Sequence, residues 1–325
     1  MVSATELDGI LASVHPELRK WASIAVVQGS GASSTVSWHH YGASAEANDF
    51  WPASTIKLYA VIAAYELLNE LGVSGDVVLC FERKTDGDWV LDAARSMSEM
   101  VSEVFRRSSN EDYTLLLRFV GIDRINRDFL KPDRGFLRSA LMRGYVLGRP
   151  YEYRREESQR VTVIELGTGV RRVVEHTWSG ISYSQARGAT VISETTGNCT
   201  TTRELVECLR RLLMHSVLPE GERYRLTAAQ VHGLTEGVGG LVGLKNRLAG
   251  AYAWEGVGEA AFPGADHYHK SGQISTYCLD LAAFDDPESG YLLLMALAVE
   301  SGEPDGVRAM AKAIAQWACG RAKQI

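Results

Sequence analysis

Residues 267–299, HYHKSGQISTYCLDLAAFDDPESGYLLLMALAV, are apolar, aromatic or β-branched over most of their length, with one polar break. The segments 267–277, 278–284 and 291–299 read as three consecutive strands, with 285–290 as a turn, and a helix near 306–317 closes the chain. At the other end, Leu7, Ile10, Leu11, Val14 and Leu18 recur at three- and four-residue spacing, which predicts a helix over 5–21. Segments 23–28 and 34–41, joined through Gly29-Ser30-Gly31, read as a hairpin. Between these ends the text is mostly helical, over 58–71, 95–106, 111–119 and 203–215. Two β-branched runs, 160–166 and 170–178, flank Gly167-Thr168-Gly169 and predict a second hairpin inside that helical stretch. Strands so far apart in sequence can share one sheet, with the terminal helices on one face and the inserted ones on the other.

The chain has 325 residues, a soft prior of about two domains at roughly 150 residues each. Hydrophobic residues make up 46% and charged residues 23%, as in folded proteins, which excludes disordered and low-complexity classes. A net charge of −6 gives no field to hold nucleic acid or an anionic membrane, so neither is expected as a partner. Five cysteines without a Cys-x-x-Cys pair are too sparse for a disulfide scaffold. No basic segment followed by an apolar one opens the chain, and no apolar run approaches eighteen residues, so a cytoplasmic location is expected.

Ser54-Thr55-Ile56-Lys57 stands at the start of a strong helix pattern, with Ser54 and Lys57 three apart and on one face. Serine becomes a nucleophile when a neighbouring base takes its proton, and a desolvated lysine can be that base. Ser108-Ser109-Asn110 opens another helix, and Lys270-Ser271-Gly272 lies on the first of the three C-terminal strands. The order and placement of these three patterns resemble those of class A β-lactamases and D-alanyl-D-alanine peptidases, the penicillin-interacting serine enzymes. The surrounding text is also similar: SSNEDYTLLLRFVG at 108–121 resembles the family's Ser-Asp-Asn helix, and KSGQISTYCLDLAAF at 270–284 its third and fourth strands. Thr200-Thr201-Thr202 resembles the family's threonine-rich helix start, and the likeness covers most of the chain except about 143–191.

This resemblance implies an α/β (α+β) fold: an antiparallel five-stranded sheet flanked by helices, plus an all-α subdomain. The sheet subdomain is expected from 1–50 and 260–325, and the helical one from 51–259 with a hairpin near 160–178. It implies Ser54 as nucleophile, Lys57 as base or proton relay and Ser108 as the donor to the leaving group. Asn110 would bind a substrate amide carbonyl, Lys270 would supply positive charge, and Ser271 would take a polar group or carboxylate. The strand glycine, Gly272, is followed by Gln273, whose backbone amide would join that of Ser54 in an oxyanion hole worth several kcal/mol, on the order of 3 per donor. No cofactor and no metal are implied.

The sequence departs from the family in three ways. The Glu-x-x-Leu-Asn motif that activates the deacylating water is missing; the nearest match, Glu194-Thr195-Thr196-Gly197-Asn198, has Gly for Leu and lies close to Thr200. Glu194 is the one candidate for water activation, against a plain reading as a loop or capping residue. Ser271 and the larger Gln273 stand where a threonine and a small residue are common, and the stretch between Ser108 and Lys270 is longer than usual. An acyl-enzyme without an efficient water-activating group survives long enough to meet another nucleophile. The expected activity is therefore a biosynthetic transacylase, as in antibiotic biosynthesis, or an esterase or amidase, using a small-molecule acyl donor and a nucleophilic acceptor. The alternatives are a β-lactamase acting on penicillin-type antibiotics and a non-catalytic β-lactamase-like binding protein. His267-x-His269 and His39-His40 raise a zinc site that lacks a third ligand at recognised spacing, and Gly237-Val238-Gly239-Gly240 lacks the register of a nucleotide loop.

Overall fold

The computed structural model describes residues 4–29, 31–73, 75–189, 197–245, 249–262, 264–286 and 290–322. In chain order the first elements are α1 (Ala4–Ser13), β1 (Lys20–Gln28), β2 (Thr35–His40), α2 (Lys57–Glu70), β3 (Val77–Thr85) and β4 (Asp88–Ser96). Next come α3 (Met97–Arg106), α4 (Asn110–Val120), α5 (Ile122–Arg124), β5 (Gln159–Glu165), β6 (Arg171–His176), α6 (Tyr183–Ala186) and α7 (Thr202–Leu213). The last are α8 (Ala228–Thr235), α9 (Tyr252–Ala261), β7 (Asp266–Gln273), β8 (Cys278–Asp286), β9 (Tyr291–Val299) and α10 (Asp305–Ala322). Contacts divide the chain into a first unit of Met1–Ile56, Cys199–Glu220 and Leu244–Ile325 and a second of Lys57–Asn198 and Gly221–Gly243.

The first unit is built on an antiparallel five-stranded sheet ordered β2-β1-β9-β8-β7. Alternate residues Ile24, Val26, Leu293 and Met295 pack with Leu7 and Leu11 of α1 and with Met310 and Ile314 of α10. On the opposite face α7 lies against β1 and β9, and Ser23 Oγ meets Thr202 Oγ1 at 2.7 Å. Cover on both faces explains why β8 and β9 read as continuous apolar runs instead of alternating ones. It also explains why Cys199–Glu220 groups with the sheet, whereas the sequence reading kept it within 51–259. The first helix is shorter than expected: α1 stops at Ser13, and Trp21 belongs to β1. Pro16 disfavours helical backbone at His15, which takes φ 44°, and the Lys20 ammonium donates to the carbonyls of Val14 and His15.

The second unit is not all-α. Its hairpin, β5 and β6, is half of a four-stranded antiparallel sheet ordered β4-β3-β5-β6. Leu79, Phe81, Val161 and Val163 form its buried face, and α4 packs on β3 and β5 as well as on α2. Residues 95–96, expected in a helix, end β4, and Ser96 caps α3 by accepting the Glu99 N–H at 3.4 Å. Among the described residues no helix is long and apolar enough to cross a membrane.

Candidate functional site

Ser54 lies in a single turn of 3-10 helix, Ala53–Ile56, that runs directly into α2. The turn is closed by the Pro52 carbonyl, which accepts from the Thr55 N–H at 3.2 Å and from Thr55 Oγ1 at 2.6 Å. Thr55, Ile56 and Lys57 are buried while Ser54 is partly exposed, so this turn presents one hydroxyl. Ala53 holds φ 45°, a left-handed conformation that costs a non-glycine residue about 1–2 kcal/mol. Strand β7 presses on the turn: a Cβ at Gly272 would sit 2.8 Å from Ser54 N, 3.0 Å from Ala53 Cβ and 3.1 Å from Thr55 N. Only glycine permits this approach. Gly272→Ala is therefore expected to displace the Ser54 amide and cost about 1–3 kcal/mol of stability, which a thermal melt checks.

The rest of β7 fixes its own side chains. Lys270 is 1% exposed and its ammonium donates to the Ser271 carbonyl at 2.7 Å. Gln273 is tied at both ends of its amide, accepting from the Tyr252 hydroxyl at 2.7 Å and donating to the Gly302 carbonyl at 2.7 Å. His267 and His269 stack on one another with centroids 4.9 Å apart, and His267 also stacks on Phe284. His269 Nδ1 lies 3.3 Å from Asp280 Oδ1. Among the described residues no group of three or more His, Cys, Asp or Glu side chains could hold a metal ion.

In the second unit Lys57 is fully buried on the first turn of α2. Its ammonium donates to the carbonyl of Ser108, to Ser108 Oγ at 3.3 Å, to the Ser109 carbonyl at 3.3 Å and to Asn110 Oδ1 at 2.7 Å. The rings of Tyr113 and Tyr145 lie over it, each 5.8 Å from ammonium to centroid. Burial pulls its pKa down from 10.5 to about 7, against the upward pull of the Glu111 and Asp112 carboxylates. Asp112 is itself engaged, accepting from Arg95 at 2.8 Å and from Ser109 Oγ at 2.6 Å. A lysine in this state is partly neutral at physiological pH and can accept a proton.

Ser108 occupies the tight junction between α3 and α4, with φ 58°. The Ser109 N–H closes the end of α3 on the Glu103 carbonyl, six residues back, at 3.2 Å; Ser109 Oγ then caps α4 by accepting the Asp112 N–H at 3.1 Å. Such left-handed caps are usually glycine. Ser108→Gly should therefore fold at least as stably as wild type while losing the hydroxyl; a melting temperature at or above wild type is the expected result.

Tyr145 reaches Lys57 through close packing on α4. Thr114 Oγ1 donates to the Asn110 carbonyl at 2.7 Å and accepts the Tyr145 N–H at 3.0 Å. A Cβ at Gly144 would lie 2.5 Å from the Thr114 methyl. Buried Asn198 secures the same segment: its Oδ1 accepts from the N–H groups of Met142 at 2.7 Å and Arg143 at 3.1 Å. Its Nδ2 donates to the Arg143 carbonyl at 3.0 Å and to the Tyr113 hydroxyl at 3.3 Å. All four hydrogen-bonding places of this amide are filled.

The structure thus brings Lys57, Ser108 and Asn110 together in the second unit, and Ser54, Gly272 and the β7 residues Lys270, Ser271 and Gln273 in the first. Glu194 lies outside the described residues. Sequence reading missed Tyr113, Tyr145 and Arg95; Gly144 beside an aromatic residue is the faint signal that a close approach occurs there.

No protein-family model matches the chain, and no curated protein sequence matches it. Solved structures do. A β-lactamase from Sphaerobacter thermophilus superposes with a TM-score of 0.60 at 14% identity, covering 100% of this chain and 99% of that one. The TLA-3 extended-spectrum β-lactamase gives 0.60 at 14% identity, over 98% and 100% of the two chains. PBP-A gives 0.57 at 16% identity, over 96% of each. The fold is that of class A β-lactamases and PBP-A.

Proposed function

We propose that this chain, having the β-lactamase-like fold, is an acyl-transfer enzyme working through an acyl-Ser54 intermediate. The observation that supports it most is Lys57, one helical turn after Ser54, buried and held to a pKa of about 7. In the proposed reaction Lys57 Nζ takes the Ser54 Oγ proton as Oγ bonds to the acyl carbon of an ester or amide. The leaving group departs with a proton relayed through Ser108, and Asn110, Lys270 and Ser271 hold the substrate. The backbone amides of Ser54 and Gln273 take the oxyanion. An amine acceptor then attacks the acyl carbon and gives its proton to Lys57 Nζ; the bond to Ser54 Oγ breaks, Lys57 returns the proton to Oγ, and the new amide leaves.

Transfer, instead of hydrolysis, is supported by Asn198. In the sequence it ends the nearest match to the water-activating motif, yet its amide is filled by Met142, Arg143 and Tyr113 and has no place left to orient a water. The matched β-lactamase structures support an antibiotic-hydrolysing reading to the same degree.

Intact-mass measurement after exposure to penicillin G and to a p-nitrophenyl ester, followed by a primary amine, separates the readings. An adduct that is stable in water and discharged by amine is expected. Turnover of a chromogenic cephalosporin at about 10² per second would replace transfer with hydrolysis. An absence of adducts from all donors would favour a non-catalytic binding protein.

A further inference from the structure

The second unit carries a cleft that the proposed reaction leaves unused. It holds about 450 Å³ and lies among α2, the segment leading into β3, the start of α3 and α8. Buried Leu68, Val73, Val77 and Met97 form its floor, and Val238 and Leu241, 52% and 37% exposed, stand at its mouth. Its size and apolar floor are those of a small-molecule site.

Gly233 points to an occupant. It sits in α8 on the face of Ala229 and Gln230, four and three residues away, which also line the cleft. A Cβ added there would meet nothing within 4 Å, and the backbone is helical, so neither packing nor conformation calls for glycine. Glycine weakens a helix relative to alanine; what it provides here is open space. Tyr65 lines the same cleft from α2, and its hydroxyl has no hydrogen-bond partner among the described residues. Burial, with the Asp76 carboxylate adding to it, pushes the Tyr65 pKa up to about 12, so the hydroxyl keeps its proton.

Charge decides the class of molecule that fits. Among the described lining residues Asp76 alone is charged; it is exposed, and no lysine, arginine or histidine joins it there. A second carboxylate lies beside the cleft, because Glu165 Oε1 accepts the N–H of lining Gly75 at 2.9 Å. An anion would be repelled, and a purely apolar molecule would leave Asp76 unpaired. An ammonium on an apolar body satisfies both ends.

We propose that this cleft binds a primary amine carried on an aliphatic body, with its ammonium held by Asp76 and the Tyr65 hydroxyl and its chain over Leu68, Val77 and Met97 in the space left by Gly233. Isothermal titration calorimetry of the full chain with n-hexylamine hydrochloride, hexan-1-ol and sodium hexanoate tests it. No acyl donor is added, so the result does not depend on chemistry at Ser54. Hexylammonium is expected to bind saturably and at least about fivefold tighter than hexan-1-ol, with no binding of hexanoate. Asp76→Asn should bring hexylammonium down to the affinity of hexan-1-ol and leave hexan-1-ol unchanged. Gly233→Leu fills the space and should abolish binding of both, with a melting temperature at or above wild type. Asp76→Asn alters an exposed side chain and decides the matter even where Gly233→Leu folds poorly. No saturable uptake of hexylammonium, equal affinity for the alcohol or the carboxylate, or hexylammonium binding that persists in Asp76→Asn or in folded Gly233→Leu overturns the proposal.

Discussion

Ser54→Ala protein is expected to take up no acyl group from any ester, amide or β-lactam that labels the wild type. Turnover should fall at least about 10⁴-fold, as when other serine enzymes lose their nucleophile. The change removes one oxygen from a partly exposed side chain in a turn held by Pro52 and Thr55, so stability should stay within about 0.5 kcal/mol of wild type. Intact-mass spectrometry reads the adduct and a thermal melt reads the fold. A folded Ser54→Ala protein that still gains the acyl mass would move the nucleophile elsewhere, and peptide mapping would show where.

Replacing Lys57 should have the next largest effect. Lys57→Met keeps the length and apolar bulk of the side chain and removes the base, so acylation should slow by about 10³ to 10⁴. If Lys57 is the base as proposed, the wild-type rate should rise with pH and level off above a midpoint near 7, where the lysine is neutral. Tyr145→Ala opens one wall around the ammonium to water and should move that midpoint upward, while Tyr145→Phe keeps the ring and should leave it in place. Stability carries the same signature. The unfolded chain keeps Lys57 protonated up to its ordinary 10.5, whereas the folded chain releases the proton above about 7. The fold therefore gains stability as pH rises between those values. The melting temperature of wild type should climb relative to Lys57→Met over this window; a flat difference would mean that Lys57 stays charged.

The parts of the site that sequence reveals are those fixed by local geometry. Ser54 and Lys57 share a helical turn, Ser109 caps a helix beginning at Asn110, and Gly272 marks a strand that approaches another backbone; each is set by neighbours within a few residues. What escaped the reading depends on partners far along the chain. Tyr145 meets Lys57 only because Thr114, on α4, binds its amide, and Asn198 reaches back across 55 residues to hold Arg143. The strands β3 and β4 were also missed. Asp88, Asp92 and Arg95 give β4 the polarity of a sheet edge, and only its pairing with β3 shows it to be a strand. The β5–β6 hairpin was legible from its turn, but its union with β3 was not, so the helical part was expected to hold that hairpin alone and no larger sheet.

The four bonds of Asn198 bear on how such an enzyme could change its chemistry over evolutionary time. A single substitution that freed this amide to orient a water would release Met142 and Arg143, and with them the backbone leading into Tyr145. The aromatic wall around the lysine would loosen in the same step. On the proposed reading, gaining hydrolysis by that route would weaken the activation of Ser54, so transfer and hydrolysis would lie on opposite sides of a fitness valley crossed by remodelling the 142–145 segment as a block.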